Sequence, residues 1–499
     1  MAFLVFIIPF LIYAFTRLFN LGLLPIFTDE AIYIRWSQIG SRDAAWRFIS
    51  LTDGKQPLFT WIMMVFLRLI PGDPLVVGRL VSVFAGFVTL AGLTLLSYEL
   101  FKSRAAALFT GLIYAVSPYT LMYDRLALYD SLVSALYVGS LYITVRLVRT
   151  LRLDNALILG MALGAGVLNK SSGFISIYLL PVPYLLFQGI RPTRRLFIYA
   201  LLAALAAVLA LVYYSVLRLS PHFHMIGLKN TVFVYTLSDW LSQPFRFFRG
   251  NLNGLTDWLI HYMTKPVLAA SLLPLAVIWH RWREKTVLFL YFFLPFTGLA
   301  LMGKVLYPRF ILFMSMPLYV LAGVTFAGIF RLVRNRTAAA TALILLLLPG
   351  ITVSYFILTN PRYALIPESD RGQLIDDWPA GGGVRETTDL IRDRAQNGPV
   401  AVITDGTFGL LPYAFEIYLV DNPNVEIRGI WPVPETIPAD IINLVRIKPT
   451  LVILNQRQVA PSWPMKLIAQ YQKGNRVDRT LRVYEVEARP GPADENDPR

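Results

Sequence analysis

From the N-terminus to residue 359 the chain alternates long apolar runs with short charged stretches, the pattern of a protein that crosses a bilayer repeatedly. The runs fall at 1–19, 75–100, 105–121, 131–145, 156–168, 174–187, 196–217, 266–279, 286–302, 310–330 and 337–358, and predict about eleven transmembrane helices. Two long interruptions, 20–74 and 218–265, are expected as large loops on one face. Within the first, 57–70 is apolar but short and is expected to lie in the membrane interface, with Trp61 at head-group depth. From residue 360 the pattern changes. A connector rich in Pro, Gly and Asp leads into strand-like runs at 400–404, 425–430, 450–454 and 481–486, which alternate with helix-like runs at 384–395, 411–419 and 465–472. That alternation predicts a small α/β domain over 360–499, ending in a disordered tail after Pro490.

Charge orients this scaffold. Basic clusters at Lys102/Arg104, Arg146/Arg149/Arg152, Arg191/Arg194/Arg195, His280–Lys285 and Arg331/Arg334/Arg336 punctuate alternate spans, as cytoplasmic loops do. The N-terminus is then cytoplasmic, and the two large loops and the C-terminal domain are extracytoplasmic. Of 499 residues, 56% are hydrophobic and 15% charged, which fits a cell-membrane protein and not a soluble one. The net charge of +15 is spent on those loop clusters, so nucleic acid is not an expected partner. With no Cys there is no disulfide framework and no thiol chemistry.

The first charged stretch beyond the N-terminal run is Thr28-Asp29-Glu30-Ala31-Ile32-Tyr33. Either acidic residue suits the start of a helix over 31–39, as a cap and as a complement to its dipole. The same topology puts Asp29, Glu30, Lys55, Asp124, Arg125, Asp130, Lys170, Lys304, Tyr307 and Arg309 at external helix ends or in the first external loop. Singly, each cation reads equally well as a snorkelling anchor. Together, a carboxylate able to take a proton beside fixed cations matches sugar transfer from a lipid phosphate: the base activates an acceptor hydroxyl, and the cations stabilise charge on the departing phosphate.

Asp29-Glu30-x-x-Tyr33, Lys55-Gln56-Pro57, Arg125-x-Ala127-x-x-Asp130 and Asn169-Lys170, in that order, resemble the GT-C membrane glycosyltransferases, especially protein O-mannosyltransferases and the lipid A aminoarabinose transferase. The resemblance covers residues 1–360 and is strongest in the first 170. It implies an inverting enzyme that uses a polyprenyl-phosphate-linked hexose or pentose and a lipid, glycan or protein acceptor among the membrane lipids of the cell envelope. It makes Asp29 the general base, Asp130 a supporting acid and Lys170 a phosphate contact; Lys304-x-x-Tyr307-Pro308-Arg309 is similar to a late segment that reaches the lipid phosphate. Gln56 interrupts the family's Lys-Pro pair, and no strand-rich insert stands between the spans. The cofactor stays open: a divalent cation held by Asp29 and Asp130 is one option, whereas His222, His224 and His261 read as interfacial. A multi-pass transporter and a non-catalytic envelope assembly protein are the alternatives, but transporters set polar residues near the bilayer midplane in repeated halves.

Overall fold

The computed structural model describes residues 4–187, 194–276 and 280–487. Arg191 and the tail beyond Pro490 lie outside the described residues. The chain divides into two units: one holds residues up to Leu23, Ile39–Pro71 and Val76–Ser369, the other Leu24–Gln38, Gly72–Leu75 and Asp370 onward.

The first unit is helical. Among the described residues six helices are long and apolar enough to cross a membrane, Pro74–Phe101, Tyr129–Thr150, Arg194–Leu219, Trp282–Met302, Pro308–Leu332 and Arg336–Thr359, or up to eight if each of two bent pairs is one span. Several of the eleven expected runs form helices shorter than this length, among them Phe6–Leu18, Leu153–Asn169 and Ser171–Leu186. The run at 105–121 breaks between Arg104–Val116 and Pro118–Asp124 with a bend of 61°. Pro118 brings no N–H to continue the ladder. In chain order come α1 (Leu4–Leu18), then α2 (Thr28–Arg42), whose residues up to Gln38 belong to the second unit, and α3 (Leu58–Leu69). These lead into α4 (Pro74–Phe101), α5 (Arg104–Val116), α6 (Pro118–Asp124), α7 (Tyr129–Thr150) and α8 (Leu153–Asn169). Residues 218–265 are not extended loop; they contain helices Met225–Phe233, Leu237–Ser242 and Phe248–Met263.

A core of Leu147, Leu159, Leu163, Tyr199, Ala203, Ala206 and Ala210 joins α7, α8 and helix Arg194–Ser215. Small residues let these backbones meet closely, as in other membrane helix pairs. A Cβ on Gly164 would stand 2.7 Å from the Tyr213 ring.

The second unit contains a five-stranded sheet in the order β2-β1-β3-β5-β4, built from β1 (Val400–Asp405), β2 (Val425–Ile430), β3 (Thr450–Leu454), β4 (Met465–Lys473) and β5 (Arg476–Val486). β1 runs parallel to β2 and β3, while β5 is antiparallel to β3 and β4. β1 and β3 are buried throughout, as continuous apolar strands between neighbours are. Helices Val384–Gln396, Leu410–Leu419 and Ala439–Ile447 complete it. Residues 465–472, expected as helix, form β4 instead. Gly474, at φ +50, makes the tight turn that returns the chain along β5, and the ladder with β5 overrides the helical preference of Met465, Lys466 and Leu467.

Candidate functional site

α7 opens at Tyr129, so Asp130 lies in its first turn, where a negative charge complements the helix dipole. α8 closes at Asn169, and Lys170 follows in extended conformation before a 3-10 turn over Ser171–Gly173. That reversal needs Gly173: a Cβ there would lie 2.2 Å from the Gly166 carbonyl carbon. The two ends meet. Lys170 Nζ donates to Asp130 Oδ1 at 2.7 Å, with Asp130 buried and the lysine side chain 31% exposed.

Around this pair the first unit assembles cations and aromatic rings. The Lys170 ammonium stands 5.0 Å from the Phe310 ring centroid. Tyr307 and Phe233 meet Phe310 edge-on at 5.6 and 5.7 Å, and the Arg309 guanidinium lies 5.0 Å from the Tyr307 ring. Exposed Lys304 donates its backbone N–H to Phe233 O at 2.8 Å, and its ammonium lies 6.0 Å from the Tyr235 ring. From the first loop, Gln56 Nε2 donates to Ser171 Oγ at 2.8 Å, next in sequence to Lys170. Lys55 pairs with Asp53 at 3.4 Å, and Lys229 reaches the same carboxylate at 2.6 Å. Contacts thus link Asp130, Lys170, Lys304, Tyr307 and Arg309, while Lys55 stands in the Asp53–Lys229 group next in sequence to Gln56. Phe310 and Lys229 were missed from the sequence; only the adjacency of Phe310 to Arg309 hinted at it.

Asp124 and Arg125 are placed differently. Asp124 is buried and accepts from Arg17 Nε at 3.4 Å, Tyr114 Oη at 3.1 Å and Ser131 Oγ at 2.9 Å. Arg125, fully buried, donates to the carbonyls of Thr16, Arg17, Phe19 and Asn20 at 2.6–3.0 Å. It satisfies the free carbonyls at the end of α1, a capping role for a basic side chain. Arg79 does the same for Leu21 O at 2.8 Å. Asp124 and Arg125, expected as substrate contacts, make structural contacts inside the helix bundle. A lone Arg17 in an apolar run was the available signal, since an ionisable residue inside the membrane must find a partner.

Asp29 and Glu30 belong to the second unit. Glu30 is buried, and its Oε2 accepts from the Phe27 N–H at 3.0 Å, closing the start of α2 as the acidic half of a capping box does. The cap expected of one of the two acidic residues is thus supplied by Glu30. Asp29, one position earlier, is half-buried.

His222, His224 and His261 are exposed, and His261 lies 3.3 Å from Asp257. Among the described residues no three His, Asp or Glu side chains converge as metal donors. With an ammonium at 2.7 Å, Asp130 does not suit a cation ligand.

A helical unit with several membrane-length apolar helices followed by a small mixed sheet is a fold this chain shares with solved structures. Over nearly its whole length the chain is similar to ArnT from Cupriavidus metallidurans. In the apo state that structure gives a TM-score of 0.58 at 16% identity, covering 97% of this chain and 98% of ArnT. Bound to undecaprenyl phosphate it gives 0.60 at 15% identity, covering 96% and 97%. The archaeal oligosaccharyltransferase AglB from Archaeoglobus fulgidus, in complex with an inhibitory peptide and a dolichol-phosphate, gives 0.52 at 12% identity over 91% of this chain and 69% of AglB. Residues 54–217 match the family dolichyl-phosphate-mannose-protein mannosyltransferase. No curated protein matches the sequence.

Proposed function

We propose that the chain is an inverting glycosyltransferase that moves a hexose or pentose from a polyprenyl-phosphate donor to a hydroxyl or similar nucleophile at the outer face of the cell membrane. The observation that carries this reading is the Lys170 cluster, an ammonium held by Asp130 beside Phe310, Tyr307 and Arg309. Cations with half-exposed heads among aromatic rings suit a phosphate carried on a lipid. The relatives bound to undecaprenyl phosphate and dolichol-phosphate support the same donor class.

In this reading Asp29 accepts the proton of the acceptor hydroxyl as its oxygen attacks the anomeric carbon from the face opposite the phosphate. The bond from that carbon to the phosphate oxygen breaks, its electron pair stays on the polyprenyl phosphate, and the anomeric configuration inverts. Lys170, Arg309 and Lys304 stabilise the charge growing on the leaving group, with Lys55 and Tyr307 contributing to donor binding. The acceptor is a lipid, glycan or protein. The N-terminus is cytoplasmic, and the site and second unit face outward.

The test is transfer by purified protein from a polyprenyl-phosphate monosaccharide to envelope extracts, read by mass spectrometry. Asp29→Asn keeps size and capping ability but removes the proton acceptor. Turnover is expected to fall by roughly 10²- to 10⁴-fold. Parental turnover in Asp29→Asn moves the base elsewhere, and absence of transfer from every such donor refutes the donor class.

A further inference from the structure

In the second unit, segment 377–381 is held along both edges. From the sheet side, fully buried Lys473 at the end of β4 sends its ammonium to the carbonyls of Ala380 at 2.5 Å and of Asp377 and Trp378 at 3.4 Å. Asn455, just past the carboxyl end of β3, donates Nδ2 to Trp378 O at 2.9 Å. The other edge pairs with the chain that enters α2. Gly381 N donates to Ile26 O at 2.7 Å, and Thr28 donates to Pro379 O through both N (3.0 Å) and Oγ1 (2.9 Å). Phe27 and Ala380 are antiparallel partners between these bonds.

Two turns along α2 a second grip follows. Arg35 Nε meets Glu416 Oε2 at 2.5 Å, with the two side chains 13% and 21% exposed, and Gln38 Nε2 donates to Ile417 O at 2.9 Å. Trp36, itself buried, lies 6.2 Å from the Phe408 ring. The two grips bracket the first two turns of α2, where Asp29 lies. In open α/β sheets the crevice past the carboxyl ends of strands, where the strand order reverses, is where ligands bind. β1 lies between β2 and β3, and Asn455, which follows β3, is the residue that reaches this segment. The chain's own first loop is what this end of the sheet holds.

We propose that Lys473 and the Arg35–Glu416 pair are positioning residues for Asp29: the C-terminal sheet fixes the first turn of α2, and with it the carboxylate that takes the acceptor proton. The proposal rests on the reading of Asp29 as base. A displacement of about 1 Å at a reacting group is enough to cost roughly 10²-fold in rate, so loosening either grip acts on turnover and leaves the donor cluster of the other unit intact.

The test uses the full-length protein. Arg35→Glu, which sets two carboxylates together, is expected to lower kcat by about 10- to 100-fold with donor KM within about twofold of the parent, and the swap Arg35→Glu with Glu416→Arg to restore most of it. Lys473→Met is expected to lower kcat likewise. As a readout independent of activity, Phe27→Cys with Ala380→Cys in this cysteine-free chain should close a disulfide on oxidation, since such partners lie within bridging distance, and keep parental kcat once closed. Parental kcat in Arg35→Glu, no recovery in the swap, failure of the disulfide to close, or loss of kcat on closing each overturns the proposal. An active Asp29→Asn overturns the base reading instead, and leaves the disulfide result standing for the docking itself.

Discussion

Two carboxylates six positions apart, Asp124 at the end of α6 and Asp130 at the start of α7, each pair with a cation, yet the pairs are built for different ends. Arg17 and Asp124 are 0% and 2% exposed, and each has further partners: Tyr114 and Ser131 for the carboxylate, Thr120 and the Ala115 carbonyl for the guanidinium. Such a pair offsets its own desolvation only by complete hydrogen bonding, and it locks α1 against α5 and α6. Lys170 gives its ammonium one carboxylate oxygen and a ring face, and stays 31% exposed. An incompletely surrounded ammonium has donors left for a ligand. The difference teaches that in a membrane bundle the accessible ion pair, not the more deeply buried one, is the candidate for phosphate recognition.

The largest effect that probes this contrast is on stability. Asp124→Ala leaves Arg17 buried without its carboxylate, a change expected to cost about 3–5 kcal/mol and to appear as lost yield and a lowered thermal transition in detergent. A stable Asp124→Ala protein whose only defect is weak donor binding would exchange the roles of the two pairs.

Lys170→Ala is expected to do the reverse. Stability falls less than in Asp124→Ala, because the Lys170 side of the pair is 31% exposed and water can reach the Asp130 carboxylate once the lysine is gone, while loss of a charge-assisted hydrogen bond of about 1.5–3 kcal/mol raises the donor Kd by roughly 10- to 100-fold. Titration with a polyprenyl-phosphate sugar measures it. Undiminished donor affinity would make Lys170 a snorkelling anchor.

The smallest effect extends the comparison to a buried carboxylate outside the membrane. Asp405 Oδ2 accepts from the backbone N–H groups of Asn455, Gln456 and Arg457 at 2.7–2.9 Å. Burial nevertheless pushes its carboxyl up from 3.8 to about 6, against the opposing pull of those hydrogen bonds and of Lys473. The folded state then holds a proton that the unfolded chain has released. The stability it contributes is fully present below about pH 4 and is lost as pH rises through about 6. Hydrogen exchange of the β1 and β3 amides, corrected for its intrinsic pH dependence, should show that fall in the parent and not in Asp405→Asn. An identical slope in both would assign it to other groups.

Much of this was readable from local pattern. The run at 75–100 became Pro74–Phe101 and the run at 450–454 became β3, because continuous apolar stretches of those lengths suit few other structures, while 425–430 became β2 on the alternation of Val425, Ile427 and Gly429 with Glu426 and Arg428. Ser117-Pro118 carried a break signal inside an apolar run. Residues 465–472 were misread because Leu467, Ile468 and Tyr471 also fit a helical face, and the choice was made by β5, which lies later in the chain. In the site, the shared topological face of Asp130 and Lys170 was visible from span ends and basic clusters. That Arg125 caps α1 was not, since four carbonyls more than 100 positions away leave no trace around residue 125.

The sequence alone determined that the chain is a polytopic helical protein with a small α/β unit, and where along it the charged residues gather at span ends. Those properties follow from hydropathy and period, which are local. Tertiary structure decided which charges go to the scaffold, Glu30 to the start of α2 and Asp124 and Arg125 to α1, and that Asp130 instead holds the half-exposed Lys170. It also decided that the Asp29 turn belongs with the C-terminal sheet, through bonds such as Thr28 to Pro379 across 351 positions. Backbone hydrogen bonds of that reach depend on no side-chain pattern, so only the folded chain reveals them.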